Sequence, residues 1–158
     1  MKKDSISSMA ALAFFVGLML VGQTSWAQQF SEEREAIDKA RISFIDDYAA
    51  GRVDAIVAAY HDDATFAGTL QPFWLEGKGE ILDLWTRYFN AWPRRQLKFR
   101  QPIVRLYGST AVETGYMEMY MGDANRNVTT FIRYSITRVN EGGRWLIVNM
   151  NVSSLPGN

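Results

Sequence analysis

The chain has 158 residues, a length typical of one domain. Its 17 basic and 17 acidic residues cancel, so it lacks the basic excess of a protein whose main task is to hold nucleic acid. Cysteine is absent and His61 is the single histidine, which excludes disulfides, thiolate chemistry, a lipoprotein anchor and any site that needs two histidines. With 47% hydrophobic and 22% charged residues, the composition indicates a globular chain.

The first 27 residues have the layout of a secretory signal peptide. Lys2 and Lys3 give a positive start, residues 9–21 form an unbroken apolar run, and Ser25-Trp26-Ala27 fits a small-x-small cleavage site. A membrane anchor is the alternative, but thirteen apolar residues fall short of the ~20 that a spanning helix needs. We therefore expect cleavage after Ala27, a mature domain over residues 28–158 that is periplasmic or secreted, and no membrane attachment after cleavage.

Helices are predicted in the first half of the mature chain. Ser31 is a suitable N-cap for a helix whose apolar residues recur at helical spacing until Gly51, a residue that takes positive φ readily. A second, shorter helix covers residues 53–60, and a short strand follows at 65–67. The third helix begins after Gly77.

From residue 96 onward the apolar period changes to two, which predicts strands. The predicted strands cover residues 97–107, 111–121, 127–139 and 145–153. Pro102 places the first of them at a sheet edge or at a bulge. Helices followed by antiparallel strands are the α+β pattern, so we expect a conical half-barrel: a curved antiparallel sheet wrapped on three N-terminal helices, with a cavity between the layers.

Several segments of the mature chain resemble a known family. They are DAIVAAYHDDATF at 54–66, EGKGEI at 76–81, RYS at 133–135 and GRWLIVNMNVS at 143–153. Together they are similar to the nuclear-transport-factor-like superfamily, which includes ketosteroid isomerases, SnoaL-like polyketide cyclases and the association domain of calcium/calmodulin-dependent kinase II. The closing SSLP at 153–156 is similar to that association domain in particular. The resemblance implies a cystatin-like cone for residues 28–158, and one such fold hosts many chemistries.

The resemblance also implies two catalytic positions, and neither holds the group that a steroid isomerase needs. The family's carboxylate base lies just beyond the D-D-A-T motif, where this chain has Gly68, and its oxyanion tyrosine matches Phe44. Relatives often carry histidines in the last strand, where this chain has Asn149 and Asn151, which hydrogen-bond but do not titrate. These departures favour ligand binding over isomerase chemistry.

Six residues are predicted to bind a ligand: Arg133, Trp74, Tyr116, Asn149, Asn151 and His61. Arg133 qualifies if its strand face lines the cone, where Glu113, Glu118 or an anionic ligand would have to pair with it. Trp74 lies in a loop, where the core makes less demand on an aromatic residue. His61 adjoins two aspartates, which allows an acid–base pair, although such a run is more often a solvated helix end.

Two further clusters bear on partners. Met117, Met119 and Met121 share one strand face, which predicts packing on a second sheet and therefore a homodimer or a higher homo-oligomer. The alternative is that these methionines belong to the core. A basic cluster after the third helix is interpreted as a solvated strand edge; it consists of Arg94, Arg95, Lys98 and Arg100.

Three functions remain open from the sequence. The first is an exported binding or accessory domain with a partly apolar pocket for a small hydrophobic or anionic organic molecule. The second is a SnoaL-like cyclase, isomerase or hydrolase that uses His61 or Glu113 as base and Arg133 as electrostatic support. The third is a homo-oligomeric assembly module. No phosphate loop, dinucleotide fingerprint, nucleophile elbow or calcium loop appears, so neither a cofactor nor a metal is predicted.

Overall fold

The computed structural model describes residues 5–69 and 71–155, with side chains from residue 26 onward. The chain divides into two compact units, Met1–Glu35 and Ala36–Asn158. Its helices and strands, in chain order, are α1 (Ser5–Ala50), α2 (Val53–Ala58), β1 (Tyr60–Ala67), β2 (Leu75–Glu76), α3 (Gly77–Ala91), β3 (Arg94–Tyr107), β4 (Thr110–Gly122), β5 (Asn127–Glu141) and β6 (Arg144–Ser154).

The first unit is helical over its described residues, 5–35. Within it, Gln28 donates a hydrogen bond to Glu32 and Gln29 donates one to Glu33, each pair one helical turn apart. Ser31 lies inside this helix, so its predicted role as an N-cap is wrong. Most side chains of the predicted signal peptide lie outside the described residues, and export stays a prediction. In the part of the chain that the structure describes, no helix is both long and apolar enough to cross a membrane.

The second unit is an α+β cone, as predicted. Its six strands form one curved, unclosed sheet in the order β2-β1-β6-β5-β4-β3. Neighbouring strands are antiparallel except β1 and β6, which are parallel. Strand β3 lies at the sheet edge and its register shifts between Arg100 and Ile103, which confirms both readings of Pro102.

One face of the sheet packs against the helices and forms the core. Phe44 and Tyr48 of α1, Ile56 of α2 and Trp85 of α3 meet buried residues of the central strands, namely Met117, Ile132, Tyr134, Ile136, Ile147 and Met150. Because residues alternate between the two faces of a strand, the opposite face carries Phe131, Arg133, Ser135 and Thr137.

This arrangement contradicts the prediction that Met117, Met119 and Met121 pack on a second sheet. Met117 and Met121 are 1% and 8% exposed, and Met119 is half-buried against the same core. All three face the helices of their own chain rather than a partner sheet. The prediction of a homodimer therefore loses this support and stays untested.

The chain enters its sheet earlier than predicted. Strand β1 begins at Tyr60 and includes His61, Asp62 and Asp63, where the sequence indicated a break. Long-range pairing fixes the two sides of this segment: Tyr60 lies opposite Ile147 of β6 and Thr65 lies opposite Asn149, with a register shift between them. In addition, Ile147 donates its backbone N–H to the Ala59 carbonyl at 2.9 Å. The two-residue strand β2, which was not predicted, extends the sheet by pairing with β1.

Candidate functional site

A cavity of about 320 Å³ lies between the helices and the sheet. On the helical side the cavity is lined by Leu84, Trp85 and Tyr88 of α3. On the sheet side the apolar lining consists of Phe66, Met119, Met121, Val128, Ile132 and Val152. The volume is at the lower end of the ~300–1,000 Å³ range of ligand pockets, so it suits a small molecule.

Among the described residues, the polar part of the lining is sparse and uncharged. Its polar residues are Thr69, Gln71, Thr130, Ser154 and Tyr88. Among the described residues of the lining, Tyr88 is the single titratable group, and burial raises its pKa to about 12. The cavity wall is therefore neutral at physiological pH.

The cavity has an open end and a buried end. Val128 is 37% exposed, whereas Trp85 is 5% exposed. Beyond Trp85 lies a second void of about 40 Å³, which shares five residues with the main cavity and is otherwise lined by Phe44, Tyr48, Leu97, Met117 and Met150. Methionine side chains adopt many shapes, so this void can enlarge the main cavity without a change of backbone.

A pair of tyrosines joins α1 and α3 at this site. The hydroxyl oxygens of Tyr48 and Tyr88 are 2.7 Å apart. Both tyrosines pack on Trp85, with ring centroids 6.1 and 5.8 Å from it in edge-to-face geometry. Tyr48 is completely buried and its pKa is raised, chiefly by the loss of solvation.

Arg95 holds the two helices that carry these tyrosines. Its guanidinium donates to the Tyr48 carbonyl at 2.8 Å, to the Trp92 carbonyl at 2.6 Å and to the Phe89 carbonyl at 3.2 Å. Gly51 makes room for it, because a Cβ there would lie 1.9 Å from Arg95 Nη2. Arg95 is thus half-buried, and its assignment to a solvated basic cluster is wrong.

A buried ionic cluster stands beside the cavity without lining it. Glu113 is completely buried, and its Oε1 accepts hydrogen bonds from Arg41 at 3.1 Å and from the Tyr134 hydroxyl at 2.8 Å. Arg138 is 1% exposed and donates weakly to the Trp145 carbonyl at 3.5 Å. Burial lowers the pKa of Arg138, and the charge of Glu113 opposes that shift. Glu113 therefore compensates two arginines in the core.

The structure brings together four of the six predicted site residues, but on the outer face of the sheet. Arg133 and Tyr116 are cross-strand neighbours there, and both are exposed. Asn149 and Asn151 lie on the same face, and Asn149 donates to the Thr65 hydroxyl at 2.8 Å. Since the cavity is on the opposite side of the sheet, the condition for a pocket role of Arg133 is not met.

The partners proposed for Arg133 are also engaged elsewhere. Glu113 points into the core with Arg41, on the face opposite to Arg133. Glu118 is on the outer face, where it accepts from Lys98 at 3.4 Å and from Arg100 at 2.5 Å. Arg133 instead donates to the Ser154 carbonyl at 3.4 Å.

His61 and Trp74 lie apart from the cavity lining as well. His61 Nε2 is 3.3 Å from a carboxylate oxygen of Glu141, and its Nδ1 accepts the Asp63 backbone N–H. Trp74 is 52% exposed, in the segment that follows the lining residue Gln71. In the described part of the chain, no three metal-binding side chains converge.

A comparison with known protein families identifies the family to which this fold belongs. The sequence model of the SnoaL-like domain matches residues 37–156, which is most of the chain. The chain belongs to the SnoaL-like domain family. No curated protein sequence matches it.

Several solved structures share this fold. A candidate dehydratase of the NTF2-like family from Streptomyces avermitilis has a TM-score of 0.73 and 15% identity, and the match covers 79% of this chain and 97% of that one. A candidate scytalone dehydratase from Novosphingobium aromaticivorans has a TM-score of 0.75 and 10% identity, and the match covers 82% of this chain and 88% of that one. A candidate calcium/calmodulin-dependent kinase II association domain from Xanthomonas campestris has a TM-score of 0.67 and 19% identity, and the match covers 80% of this chain and 88% of that one. At these identities the likeness shows the fold of a SnoaL-like domain alone.

In this SnoaL-like domain, the two positions implied by the resemblance do lie at the cavity. Gly68 lines the main cavity and Phe44 lines the smaller void. A side chain at Gly68 has little room, because its Cβ would lie 2.8 Å from Phe66 Cε1 and 2.5 Å from Gln71 Oε1. Counting from the motif therefore leads to the cavity lining, where this chain has a glycine in place of a carboxylate.

The site residues predicted from the sequence do not include Trp85 and Tyr88 of α3. These two residues are three apart on an apolar helix face, where an aromatic residue is more often part of the core than a ligand contact. A tyrosine on such a face is the available signal, because a buried phenol hydroxyl needs a hydrogen-bond partner.

Proposed function

We propose that this SnoaL-like domain binds a small, neutral, hydrophobic molecule in the cavity between α3 and the sheet. The observation that carries the proposal is the lining: apolar and aromatic side chains from α3 and from the sheet, a few neutral polar groups and, among the described residues, no charge. An apolar ligand gains about 25 cal/mol for each Å² of surface that leaves water, and it leaves no ion unpaired in such a site. The anionic ligand considered from the sequence finds no cation in the described lining.

The same lining argues against acid–base catalysis at this site. General acid–base steps use a group that exchanges a proton near the working pH. Tyr88 is held neutral by burial, and His61 and Glu113 lie outside the described lining. The candidate dehydratases among the structural neighbours share the fold, but the geometry here supports binding better than turnover.

The test is titration with the neutral fluorescent probe N-phenyl-1-naphthylamine. Thr130 lines the cavity, whereas the adjacent Thr129 is on the other face of β5. We expect Thr130→Trp to fill the cavity and abolish saturable binding, and Thr129→Trp to leave it unchanged. Binding that survives Thr130→Trp, or that is lost equally in both variants, contradicts the proposed site.

We also propose that the domain acts after export. The support is the positive start, the apolar run and the small-x-small site of residues 1–27. The intact mass of the protein recovered from a bacterial periplasm tests this, since cleavage after Ala27 leaves a chain that begins at Gln28. A full-length mass, or retention in the cytoplasm, would contradict it.

A further inference from the structure

The guanidinium of Arg138 in β5 has one edge that the described residues leave without a hydrogen-bond partner. Arg138 is almost completely buried, and its Nη1 donates to the Trp145 carbonyl at 3.5 Å. Its Nε and Nη2 have no partner in the described part of the chain. These two nitrogens present parallel N–H groups on one edge, which is the arrangement that a carboxylate meets with two hydrogen bonds. Because buried donors are normally paired, this edge needs an acceptor.

The carboxylates of the core do not supply that acceptor. Glu113 Oε1 accepts from Arg41 and from the Tyr134 hydroxyl, and the charge of Glu113 acts on Arg138 without a hydrogen bond between them. Asp38 also pairs with Arg41. Among the described residues, Arg41 thus has two carboxylate partners and Arg138 has none within hydrogen-bond distance.

Arg138 also forms part of a groove that is separate from the main cavity. This groove, of about 410 Å³, lies between α1, α2 and the β5–β6 hairpin, and none of its described lining residues belongs to the lining of the main cavity. Much of its lining has short side chains, which leave room for a ligand. We call it the alanine groove, after Ala36, Ala40, Ala55, Ala58 and Ala59, which line it together with Arg138.

The charges of the alanine groove favour an anion with a single charge. Arg144 is an exposed part of its lining, and its Nη2 donates to the Ala58 carbonyl at 3.2 Å. Asp47 is the single acidic residue of the described lining, and Arg52 Nε already pairs with it at 2.7 Å. A second negative charge on a ligand would meet only Arg144, whose attraction is screened by solvent.

Binding at Arg138 carries a small desolvation cost on the protein side. The guanidinium is already out of water in the folded domain, so an incoming carboxylate loses only its own hydration. Its hydrogen bond to Trp145 is long, which lets the side chain turn its unpaired edge toward the groove. Phe44, Trp145 and Leu146 add apolar surface to the lining, which suits a short hydrocarbon chain.

We propose that the alanine groove is a second ligand site, which binds a small organic monocarboxylate through the Nε and Nη2 groups of Arg138. The hydrocarbon part of the ligand lies along the alanine walls and the apolar side chains beside them. This site is independent of the proposed function, which concerns a neutral ligand in the main cavity.

Sodium butyrate and butyramide test the proposal, because they share a carbon skeleton and differ in charge. Each is titrated at constant ionic strength while a proton–nitrogen correlation spectrum records the Arg138 Nε–H signal, which is assigned by its absence in Arg138→Met. We expect butyrate to shift this signal saturably and to bind at least about tenfold more tightly than butyramide, the order expected for charge-assisted hydrogen bonds. Equal affinities, or a signal that butyrate does not move, overturn the proposal.

Two alanine variants locate the site within the fold. Ala58 is exposed and lines the groove, whereas Ala49 is exposed on α1 and is not among the described lining residues. We expect Ala58→Trp to fill the groove and abolish butyrate binding, and Ala49→Trp to leave the affinity unchanged. Loss of binding in both variants, or in neither, contradicts the assignment.

Glu113→Gln tests the electrostatic argument. It removes the charge that partly compensates Arg138, so butyrate should bind severalfold more tightly and should raise the melting temperature of this variant by more than that of the parent. An equal or smaller rise shows that the carboxylate does not meet Arg138. The two alanine variants decide the question if Glu113→Gln does not fold.

The cavity variant Thr130→Trp distinguishes the two sites. It should leave butyrate binding unchanged, because Thr130 lines the main cavity and not the alanine groove. If Thr130→Trp abolishes butyrate binding, the carboxylate occupies the main cavity and the second site is wrong. If butyrate binds as expected but N-phenyl-1-naphthylamine does not bind, the proposed function fails and the second site stands.

Discussion

Glu113→Gln is expected to destabilise the domain strongly, although it changes little in shape. The substitution removes the negative charge that faces Arg41 and Arg138 in the core. Arg41 keeps Asp38, whose side chain is 54% exposed, but among the described residues Arg138 keeps only its weak hydrogen bond to the Trp145 carbonyl. The cost arises because a buried cation would then lack a carboxylate to compensate it.

The magnitude follows from the burial of both partners. Glu113 has no exposed side-chain surface and the Arg41 side chain is 11% exposed, so solvent screens their attraction little. Breaking a buried pair by removing one partner costs about 3–5 kcal/mol. For a domain of this size, one kcal/mol corresponds to a change of about 4 °C in the melting temperature. We therefore expect Glu113→Gln to lower the melting temperature by about 12–20 °C.

Glu118→Gln is the matched control. Glu118 is on the same strand and also contacts two cations, Lys98 and Arg100, but these pairs face solvent. Exposed pairs are screened and contribute little, so the control should change the melting temperature only slightly. Adding Arg138→Met to Glu113→Gln should recover part of the loss, since it removes the uncompensated charge. Equal melting temperatures for Glu113→Gln and Glu118→Gln would refute this account of the core.

Three further outcomes follow from the geometry. Arg133→Ala should leave the affinity for N-phenyl-1-naphthylamine unchanged, because Arg133 is on the outer face. Weaker binding in the same titration would show that Arg133 contributes to the site. Gly68→Asp should destabilise the domain by about 1–3 kcal/mol in urea unfolding, because the new Cβ collides with Phe66, and an unaltered midpoint would show that the segment yields freely. Burial raises the pKa of Tyr88 to about 12, so the folded domain keeps a proton that the unfolded chain releases above about pH 10. The free energy of unfolding should therefore fall between about pH 10 and 12. In Tyr88→Phe this fall should be shallower by up to about 1.4 kcal/mol per pH unit. If the free energy of unfolding has the same pH dependence in both proteins, Tyr88 is not a buried phenol.

The elements with local signals were predictable, and those that depend on distant partners were not. The change of period at residue 96 located β3 to β6 to within a few residues, and Pro102 indicated the edge. Strand β1 was underestimated because residues 61–63 are polar, and the pairs with β6 that flank them, at Tyr60 and from Thr65 onward, depend on a distant strand. The start of α1 was misplaced because Ser31 suits a cap and a helix interior alike when it points to solvent.

The resemblance pointed to residues of the cavity, whereas the residues predicted to bind a ligand lie elsewhere. The family motif led to Gly68 and Phe44, which do line the cavity and its extension. Alternation along a strand groups Arg133 with Tyr116 but does not tell which side of the sheet meets the helices. The choice of side depends on the summed burial of whole strands, and that is why the polar and aromatic residues singled out from the sequence lie outside the cone.

The parallel pairing of β1 with β6 imposes an order on how the molecule is completed. Thr65 lies beside Asn149, so the first and last long strands of the domain are neighbours although more than eighty residues separate them. Hairpins β3–β4, β4–β5 and β5–β6 close over short turns, whereas β1 has no long neighbour until β6 exists. Contacts of such sequence separation form late and slow the folding of a chain. A nascent chain in which β6 has not yet been synthesised therefore exposes the apolar side of β1. Loss of the last dozen residues of the given sequence would remove most of β6 and leave β1 without its long neighbour.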